Sequence, residues 1–188
     1  MKLQRLNIDN VMLLIPQYFE DERGYYTESF SSQKFKEATH LDNIFIQDNH
    51  SMSIKAGTIR GIHFQLNPKP QSKLVRCTKG AILDVIVDLK TDSPTYKKYL
   101  INELTPINRH QIFIPNGFGH GFLTLLDDTE VQYKVDEFFN SELDRAIAWD
   151  DPELNIKWGI KKPILSNKDI NAPLLKDSDA NFSMRQNY

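Results

Sequence analysis

The sequence contains very little cysteine and no excess of charge of one sign. Cys77 is the only cysteine among 188 residues, which excludes an intramolecular disulfide and a zinc site built from several cysteines. Lysine and arginine total 23, aspartate and glutamate total 25, and the basic residues form no block. Because nucleic acids and anionic lipids are bound by clustered positive charge, we expect neither as the main partner. Small molecules and other proteins remain as possible partners.

Long apolar segments are also missing. The first residues, Met1-Lys2-Leu3-Gln4-Arg5-Leu6, contain no apolar core of a signal peptide, and no later stretch approaches the ~20 apolar residues that span a bilayer. We therefore expect no membrane association and a cytoplasmic location. Hydrophobic residues still make up 40% of the chain, enough for a sizeable core, so length and composition predict one soluble domain over residues 1–188.

Helical patterns are scarce, and strand patterns dominate. Residues 31–38 predict about two turns of helix after a serine N-cap. From residue 44 onward, β-branched and aromatic runs alternate with turn residues at the ~8–12-residue spacing of an all-β sandwich or barrel. A tight hairpin is expected at Lys79-Gly80. The predicted strands are 43–53, 58–65, 72–78, 82–89, 99–104, 111–114, 121–125 and 131–137.

The strand predicted at 82–89 has one unusual face. Leu83, Val85 and Val87 alternate along one side, whereas the other side alternates isoleucine with aspartate, as Ile82, Asp84, Ile86 and Asp88. Such a face fits the interior of a ligand-binding barrel. A solvent-facing surface that carries two isoleucines fits the pattern equally well.

Two of the five histidines have unusual surroundings. His63 lies in an apolar strand that also carries Arg60, and His120 follows a Pro/Gly-rich turn. The turn, 115–119, resembles one half of the three-histidine, one-carboxylate metal site of some barrels. The other half requires His-x-His and a nearby glutamate, but the chain has His63-Phe64-Gln65. Two ligands are therefore missing, and we expect no metal.

The remaining ionisable groups suit proton transfer beside a carbonyl. That chemistry needs a base, a cation to hold the enolate oxygen, and an acid on the opposite face, which His63, Lys73 and Tyr133 can supply. A carboxylate is expected to fix the tautomer of the imidazole. Taken singly, Tyr133 fits ordinary strand packing and Lys73 an exposed surface position. Further candidates are Asp84, Asp169, Arg23 and Arg60.

Several segments together resemble a known family, the nucleotide-sugar 3,5-epimerases typified by dTDP-4-dehydrorhamnose 3,5-epimerase. Each segment is weak alone, but their order and separations are specific, and they extend over most of the chain. The segments are 21–28, 47–51, 57–65, 73–77, 84–89, 115–122, 133–134, 149–152 and 165–169.

The resemblance implies an all-β fold, a cupin-type jelly-roll β-barrel with a few short helices. It implies N-terminal strands and a short helix in about 1–45, the barrel core in 46–140 and an irregular C-terminal segment in 141–188. It also implies a homodimer with exchanged N-terminal strands, and activity without a metal or organic cofactor. The implied substrate is a nucleoside-diphosphate 4-keto-6-deoxy sugar.

The resemblance also implies a role for individual residues. His63 matches the catalytic base, Asp169 its carboxylate partner, Tyr133 the acid and Lys73 the group that stabilises the enolate. Positions that match substrate-binding residues are Arg23, Glu28, Gln47, Asn49, Arg60, His120, Asp144 and Lys168. The chain departs from the family at Asp144, where glutamate is common, and at Phe138-Phe139, where the family often has two tyrosines.

Strict strand alternation conflicts with two of these roles. Arg60 and His63 are three residues apart, so a regular strand would direct them to opposite faces. If both line one site, the strand must be irregular, and Gly61 is the position that favours a bulge. We therefore predict an irregularity at Gly61.

The expected activity is inversion of C3 and C5 of the 4-keto sugar, from dTDP-4-dehydro-6-deoxy-D-glucose to dTDP-4-dehydro-L-rhamnose. A single-centre epimerase or a 3,4-ketoisomerase on another nucleotide sugar is the nearest alternative. A metal-dependent cupin enzyme and a non-catalytic sugar-binding module are the others.

Overall fold

The computed structural model describes residues 1–8 and 10–185, and within them it contains thirteen β-strands, two α-helices and one 3₁₀ helix. The last three residues of the predicted C-terminal segment lie outside this range. The helices are α1 (Ser32–Thr39), α2 (Asn167–Ile170) and the 3₁₀ helix Leu175–Asp177. The strands are β1 (Lys2–Arg5), β2 (Met12–Ile15), β3 (Tyr18–Asp21), β4 (Gly24–Thr27), β5 (Gln47–Ser53), β6 (Ile59–Gln65), β7 (Lys73–Lys79), β8 (Ile82–Asp88), β9 (Tyr99–Leu104), β10 (Gln111–Ile114), β11 (Phe118–Thr124), β12 (Thr129–Val135) and β13 (Asp144–Ala146).

The strands form two facing antiparallel sheets and one separate hairpin. The first sheet has the order β1-β2-β10-β7-β12-β5, the second has the order β13-β6-β11-β8-β9, and β3 pairs only with β4. This arrangement is a cupin-like jelly roll, so the predicted all-β fold class is confirmed. The predicted helix is confirmed as α1, whose N-cap Ser31 accepts a hydrogen bond from the Lys34 amide.

The core between the sheets explains the unusual face of β8. Val75 and Val131 of the first sheet pack in one cluster with Ile82 and Ile86 of the second. Asp84 lies on the same face as these isoleucines and is fully buried. The face therefore lines the barrel interior, and the solvent-facing alternative is wrong.

The opposite face of β8 is covered by the C-terminal segment. Val85 and Val87 share a second apolar cluster with Trp158 and Phe182. Phe182 is 2% exposed, so the irregular C-terminal segment packs against the barrel as far as this residue. This packing holds the residues around α2 against the second sheet.

The hairpin expected at Lys79-Gly80 is wrong. β7 pairs with β10 and β12, whereas β8 pairs with β9 and β11, so the turn crosses from one sheet to the other. A glycine with a positive φ serves equally in a hairpin and in a turn that connects two sheets. Gly80 has a φ of +80°, and a Cβ there would lie 2.2 Å from the Thr129 hydroxyl oxygen.

The irregularity predicted in β6 is present. His63 pairs with His120, but the next pair is Arg60 with Phe122, so two residues of β6 face one residue of β11. Gly61 has a φ of +120°, and a Cβ there would lie 2.5 Å from the Cα of Gly121. The bulge lets Arg60 and His63 face the same side of the sheet.

We expect Gly61→Ala to destabilise the protein more than Gly24→Ala. The two glycines have nearly equal φ values, +120° and +119°, but a Cβ at Gly24 would meet nothing within 4 Å. Both substitutions therefore introduce backbone strain, while only Gly61→Ala adds overpacking worth about 1–3 kcal/mol. Thermal or urea unfolding of the two variants measures the difference. Equal losses of stability would show that the close approach at Gly61 is relaxed at little cost.

Candidate active site

A cavity of about 450 Å³ lies between the two sheets, and the segment around α2 forms part of its wall. Most of the residues proposed from the sequence meet there. Its polar lining consists of Ser51, Thr58, Arg60, His63, Gln71, Lys73, His120, Tyr133, Asp144, Ser166, Lys168 and Asp169, and its apolar lining of Ile59, Phe122, Phe139, Ile164 and Leu165.

His63 on β6 and Asp169 on α2 form a close pair in this cavity. The Nε2 atom of His63 lies 2.6 Å from a carboxylate oxygen of Asp169, whose side chain is 2% exposed. The other carboxylate oxygen accepts a hydrogen bond from Ser166, the N-cap of α2. Burial alone would raise the pKa of Asp169, but hydrogen bonds from His63, Ser166 and the Gly61 amide hold this pKa below its ordinary value. Asp169 is thus an anion that holds the imidazole through Nε2 and makes no contact with Nδ1.

Tyr133 and Lys73 lie on the opposite sheet. They occupy neighbouring strands, β12 and β7, and the Lys73 ammonium is 5.6 Å from the centre of the Tyr133 ring. The ammonium also donates a hydrogen bond to the side chain of Gln71. Burial lowers the pKa of Lys73 to about 8, although Asp144 and Asp136 oppose the change. Burial raises the pKa of Tyr133 above its ordinary value, so the phenol keeps its proton at neutral pH.

Charged side chains border the remainder of the cavity. Arg60 donates hydrogen bonds to the Ser53 hydroxyl and to the Met52 carbonyl, which leave part of its guanidinium free for a ligand. Lys168 pairs with Asp144, and both side chains line the cavity. Such cationic groups suit phosphate oxygens.

Two predicted binding residues lie beside the cavity rather than in its lining. Gln47 and Asn49 alternate on β5 with Ser51, so all three side chains point to the same face. The Gln47 amide donates to the Asn49 side-chain oxygen at 2.8 Å. Gln47 and Asn49 therefore extend the polar wall that Ser51 begins.

Arg23 and Glu28 do not reach this cavity within the same chain. Arg23 belongs to the separate β3–β4 hairpin, where its side chain is 82% exposed and pairs with Asp21. Glu28 follows the hairpin and pairs with Lys34. The hairpin instead packs against Arg109, whose guanidinium lies 3.5 Å from the centre of the Tyr18 ring.

Two supporting residues of the site gave no sequence signal: Ser166, which donates a hydrogen bond to Asp169, and Gln71, which accepts one from Lys73. Asp84, a candidate from the sequence on the interior face of β8, pairs with His120 at 2.6 Å. Phe139, one of the two phenylalanines that depart from the family pattern, lies in the apolar wall.

Neither a cluster of metal ligands nor a membrane-spanning helix is found in the part of the chain that the structure describes. Among the described residues, no three or more histidine, cysteine, aspartate or glutamate side chains are grouped closely enough to hold a metal ion. In residues 1–8 and 10–185, no helix has the length and apolar character needed to cross a membrane.

Comparisons with known proteins agree on one family. The family model described as dTDP-4-dehydrorhamnose 3,5-epimerase matches residues 5–177. A dTDP-4-dehydrorhamnose 3,5-epimerase of Shigella flexneri is 43% identical over 179 residues, which cover 95% of this chain and 98% of that protein. The full-length agreement confirms the resemblance read from the sequence.

Two solved structures extend the comparison to the fold. The crystal structure of dTDP-4-dehydrorhamnose 3,5-epimerase from Bacillus anthracis, with TDP and PPi bound, is 47% identical, has a TM-score of 0.89, and covers 92% of this chain and 98% of its own. The crystal structure of dTDP-6-deoxy-D-glucose-3,5-epimerase from Legionella pneumophila, in complex with dTDP-4-keto-L-rhamnose, is 35% identical with a TM-score of 0.90. That match covers 95% of this chain and 94% of the other.

Proposed function

Since the chain belongs to the dTDP-4-dehydrorhamnose 3,5-epimerase family, we propose that His63 and Tyr133 perform its proton transfers from opposite walls of the cavity. The protein is an isomerase that inverts C3 and C5 of a dTDP-4-keto-6-deoxy sugar. The observation that carries the assignment of residues is the position of a carboxylate-bound imidazole on one sheet and a protonated phenol on the facing sheet.

The reaction begins with removal of a proton next to the C4 ketone. The Nδ1 atom of His63 takes the proton, and the C–H electron pair becomes the enolate with negative charge on the C4 oxygen. Lys73 stabilises that charge as a cation. Tyr133 then gives its proton to the opposite face of the same carbon, so the ketone re-forms with inverted configuration. The imidazolium and the phenolate return to their starting states by proton exchange with water.

The remaining polar residues bind the substrate in this proposal. Arg60 and Lys168 are placed to hold the diphosphate, with Asp144 orienting Lys168. Gln47 and Asn49 extend the site along β5, and His120 contacts the sugar. Support comes from the Bacillus anthracis relative, which binds TDP and PPi, and from the Legionella pneumophila relative, which binds dTDP-4-keto-L-rhamnose.

The activity is tested by incubating the protein with dTDP-4-keto-6-deoxy-D-glucose in D₂O. We expect deuterium at both C3 and C5 and formation of dTDP-4-keto-L-rhamnose, measured by NMR of the ring positions. Deuterium at one position only would identify a single-centre epimerase. A product with a 3-keto group would identify a ketoisomerase instead.

Lys73 predicts an alkaline limit to activity. Its ammonium is present below its pKa of about 8 and is lost above it, so stabilisation of the enolate weakens as pH rises. We expect kcat/KM to fall above pH 8 by about tenfold for each further pH unit. In Lys73→Arg the guanidinium stays charged, and the alkaline fall should disappear even if the rate at neutral pH is lower. An unchanged alkaline limb in Lys73→Arg would assign it to another group.

The position of the β3–β4 hairpin supports a homodimer with exchanged N-terminal strands. The hairpin exposes Phe19 by 59% and Tyr26 by 70%, which is unusual for large apolar side chains and typical of an interface. In this proposal, Arg23 and Glu28 of the partner subunit complete the nucleotide site of each chain.

Two measurements test the dimer. Light scattering should give about twice the chain mass of 21.8 kDa. Mixing refolded Arg23→Ala chains with His63→Asn chains should restore activity, because one site of each mixed dimer then contains both native residues. A monomer, or the absence of restored activity, would contradict the proposal.

The cavity draws side chains from Ser51 to Asp169, so we propose that the whole chain acts as one catalytic domain. We also propose that it acts in the cytoplasm, which subcellular fractionation of the producing cell can check.

A further inference from the structure

The wall that carries His63 contains a second histidine in the same arrangement. His120 lies directly opposite His63 in the pairing of β11 with β6. Its Nε2 atom is 2.6 Å from a carboxylate oxygen of Asp84, just as the Nε2 atom of His63 is 2.6 Å from Asp169. Both histidines line the cavity, and both carboxylates are buried. Two histidine–aspartate pairs therefore lie side by side on one wall.

In each pair the same ring nitrogen, Nε2, is bound to the carboxylate. Because Nε2 of each ring is bound to a carboxylate, Nδ1 is the atom left for a ligand. The β6 bulge at Gly61 is two residues from His63, and a Cβ at Gly61 would lie 2.6 Å from the His120 carbonyl oxygen. The backbones of the two strands thus approach closely next to the paired residues His63 and His120. Tyr133 and Lys73 face them from the other sheet.

The substrate has two acidic hydrogens on one face of its ring, the same number as the imidazoles on this wall. In a 4-keto sugar of the gluco configuration, C3 and C5 both flank the ketone, and their axial hydrogens project from the same face of the ring. A base on that face must act at two places in order to invert both centres. His63 is fixed by Asp169 and by the cap of α2, so reaching both hydrogens would require the substrate to shift. A second imidazole on the adjacent strand removes that requirement, since neighbouring strands lie about 4.8 Å apart.

We propose that His120, oriented by Asp84, is a second catalytic base and that the two histidines divide the two centres between them. This proposal rests on the proposed function of His63. At each centre, Nδ1 of one histidine takes the proton, the C–H electron pair forms the enolate on the C4 oxygen, and Tyr133 gives its proton to the opposite face of the carbon. The imidazolium then loses its proton to water, and the Tyr133 phenolate regains one from water before the second centre reacts.

Site-resolved deuterium exchange in D₂O tests this division. In His120→Asn we expect exchange at one ring carbon, C3 or C5, to fall at least about a hundredfold, while exchange at the other stays within about threefold of the native rate. Asp84→Asn should slow exchange at the same carbon, and by a smaller factor, because it disturbs the ring without removing it. The variants should retain TDP binding, measured by calorimetry, and the native melting temperature within a few degrees.

A matched histidine outside the cavity provides the control. His50 lies on the outer face of β5 and pairs with Glu130, so His50→Asn should leave the ratio of C3 to C5 exchange unchanged. Equal loss of exchange at both carbons in His120→Asn would overturn the proposal, because it would indicate a group that serves the shared enolate. Native exchange at both carbons would overturn it as well. Neither result affects the assignment of His63, which fails only if His63→Asn still forms the doubly inverted product at the native rate.

Discussion

Replacement of His63 by asparagine is expected to reduce formation of the doubly inverted product by about 10²–10⁴-fold, the range that general base catalysis contributes. Asparagine is smaller than histidine and does not reach Asp169, but the buried carboxylate keeps the hydrogen bond that Ser166 donates to its other oxygen. The loss should therefore appear in kcat rather than in the fold. Product formation is followed by NMR, and folding by circular dichroism and thermal unfolding.

The neighbours of His63 define the controls for this experiment. Asp169→Asn leaves the imidazole in place but removes the anion that orients it, so its rate should lie between those of the native protein and His63→Asn. His50→Asn removes a histidine from the outer face of the same barrel and should retain the native rate. If His63→Asn retains native turnover, the base is another group, and the mechanism proposed above is wrong.

The irregularity of β6 could be predicted from the sequence because strand alternation and a common site make opposite demands on Arg60 and His63. Strand alternation separates Arg60 from His63, whereas a common site requires them on one face. A glycine between them is the residue that allows a bulge, and the structure has the bulge there. A local conflict of this kind can be read from residues alone, since it depends only on spacing and on one glycine.

Strand partners were less predictable than strands. The run 72–78 and the run 82–89 were both recognised, yet the turn between them joins two sheets instead of forming a hairpin. Local turn chemistry does not distinguish these cases, because Gly80 adopts a positive φ in either one. The pairing depends on which strands share the apolar cluster between the sheets, and that information is distributed over the whole chain.

Short exposed strands were the hardest elements to predict. β3 and β4 have four residues each, and nearly all of their side chains are exposed, so no alternation of apolar and polar residues marks them. The resemblance alone indicated strands in that region. The same exposure explains why Arg23 and Glu28 cannot be placed in the cavity of one chain, since the surface that would cover the hairpin lies on another molecule in the proposed dimer.

Aspartate partners of the histidines were predictable only in part. The residues alone predict a carboxylate beside His63 without identifying it, and the resemblance identifies Asp169, which is more than a hundred residues away in sequence and reaches His63 through the cap of α2. Asp84 was visible as a charged residue on an otherwise apolar face, although its partner His120 lies on a strand whose register the sequence does not specify. Separations of this kind require the tertiary fold.

Tyr133→Phe is expected to separate proton removal from inversion. The substitution deletes one hydroxyl, while the ring remains beside Lys73 in the partly buried wall. His63 can still remove the sugar proton, and in D₂O its imidazolium exchanges with solvent and returns deuterium to the same face. Deuterium should therefore enter the substrate with retained configuration, while formation of the inverted product falls by about 10²–10⁴-fold.

The ratio of exchange to inversion is the decisive measurement for Tyr133, because general damage to the site would slow both processes equally. NMR gives both rates in one sample, from deuterium content and from the signals of the new epimer. Tyr99→Phe is the matched control, since it also removes a phenol hydroxyl, one that accepts a hydrogen bond from the Lys157 amide outside the cavity. Inversion at the native rate in Tyr133→Phe would place the acid elsewhere on that wall, and Lys73, whose pKa of about 8 allows an ammonium to give up a proton, would be the nearest group able to act.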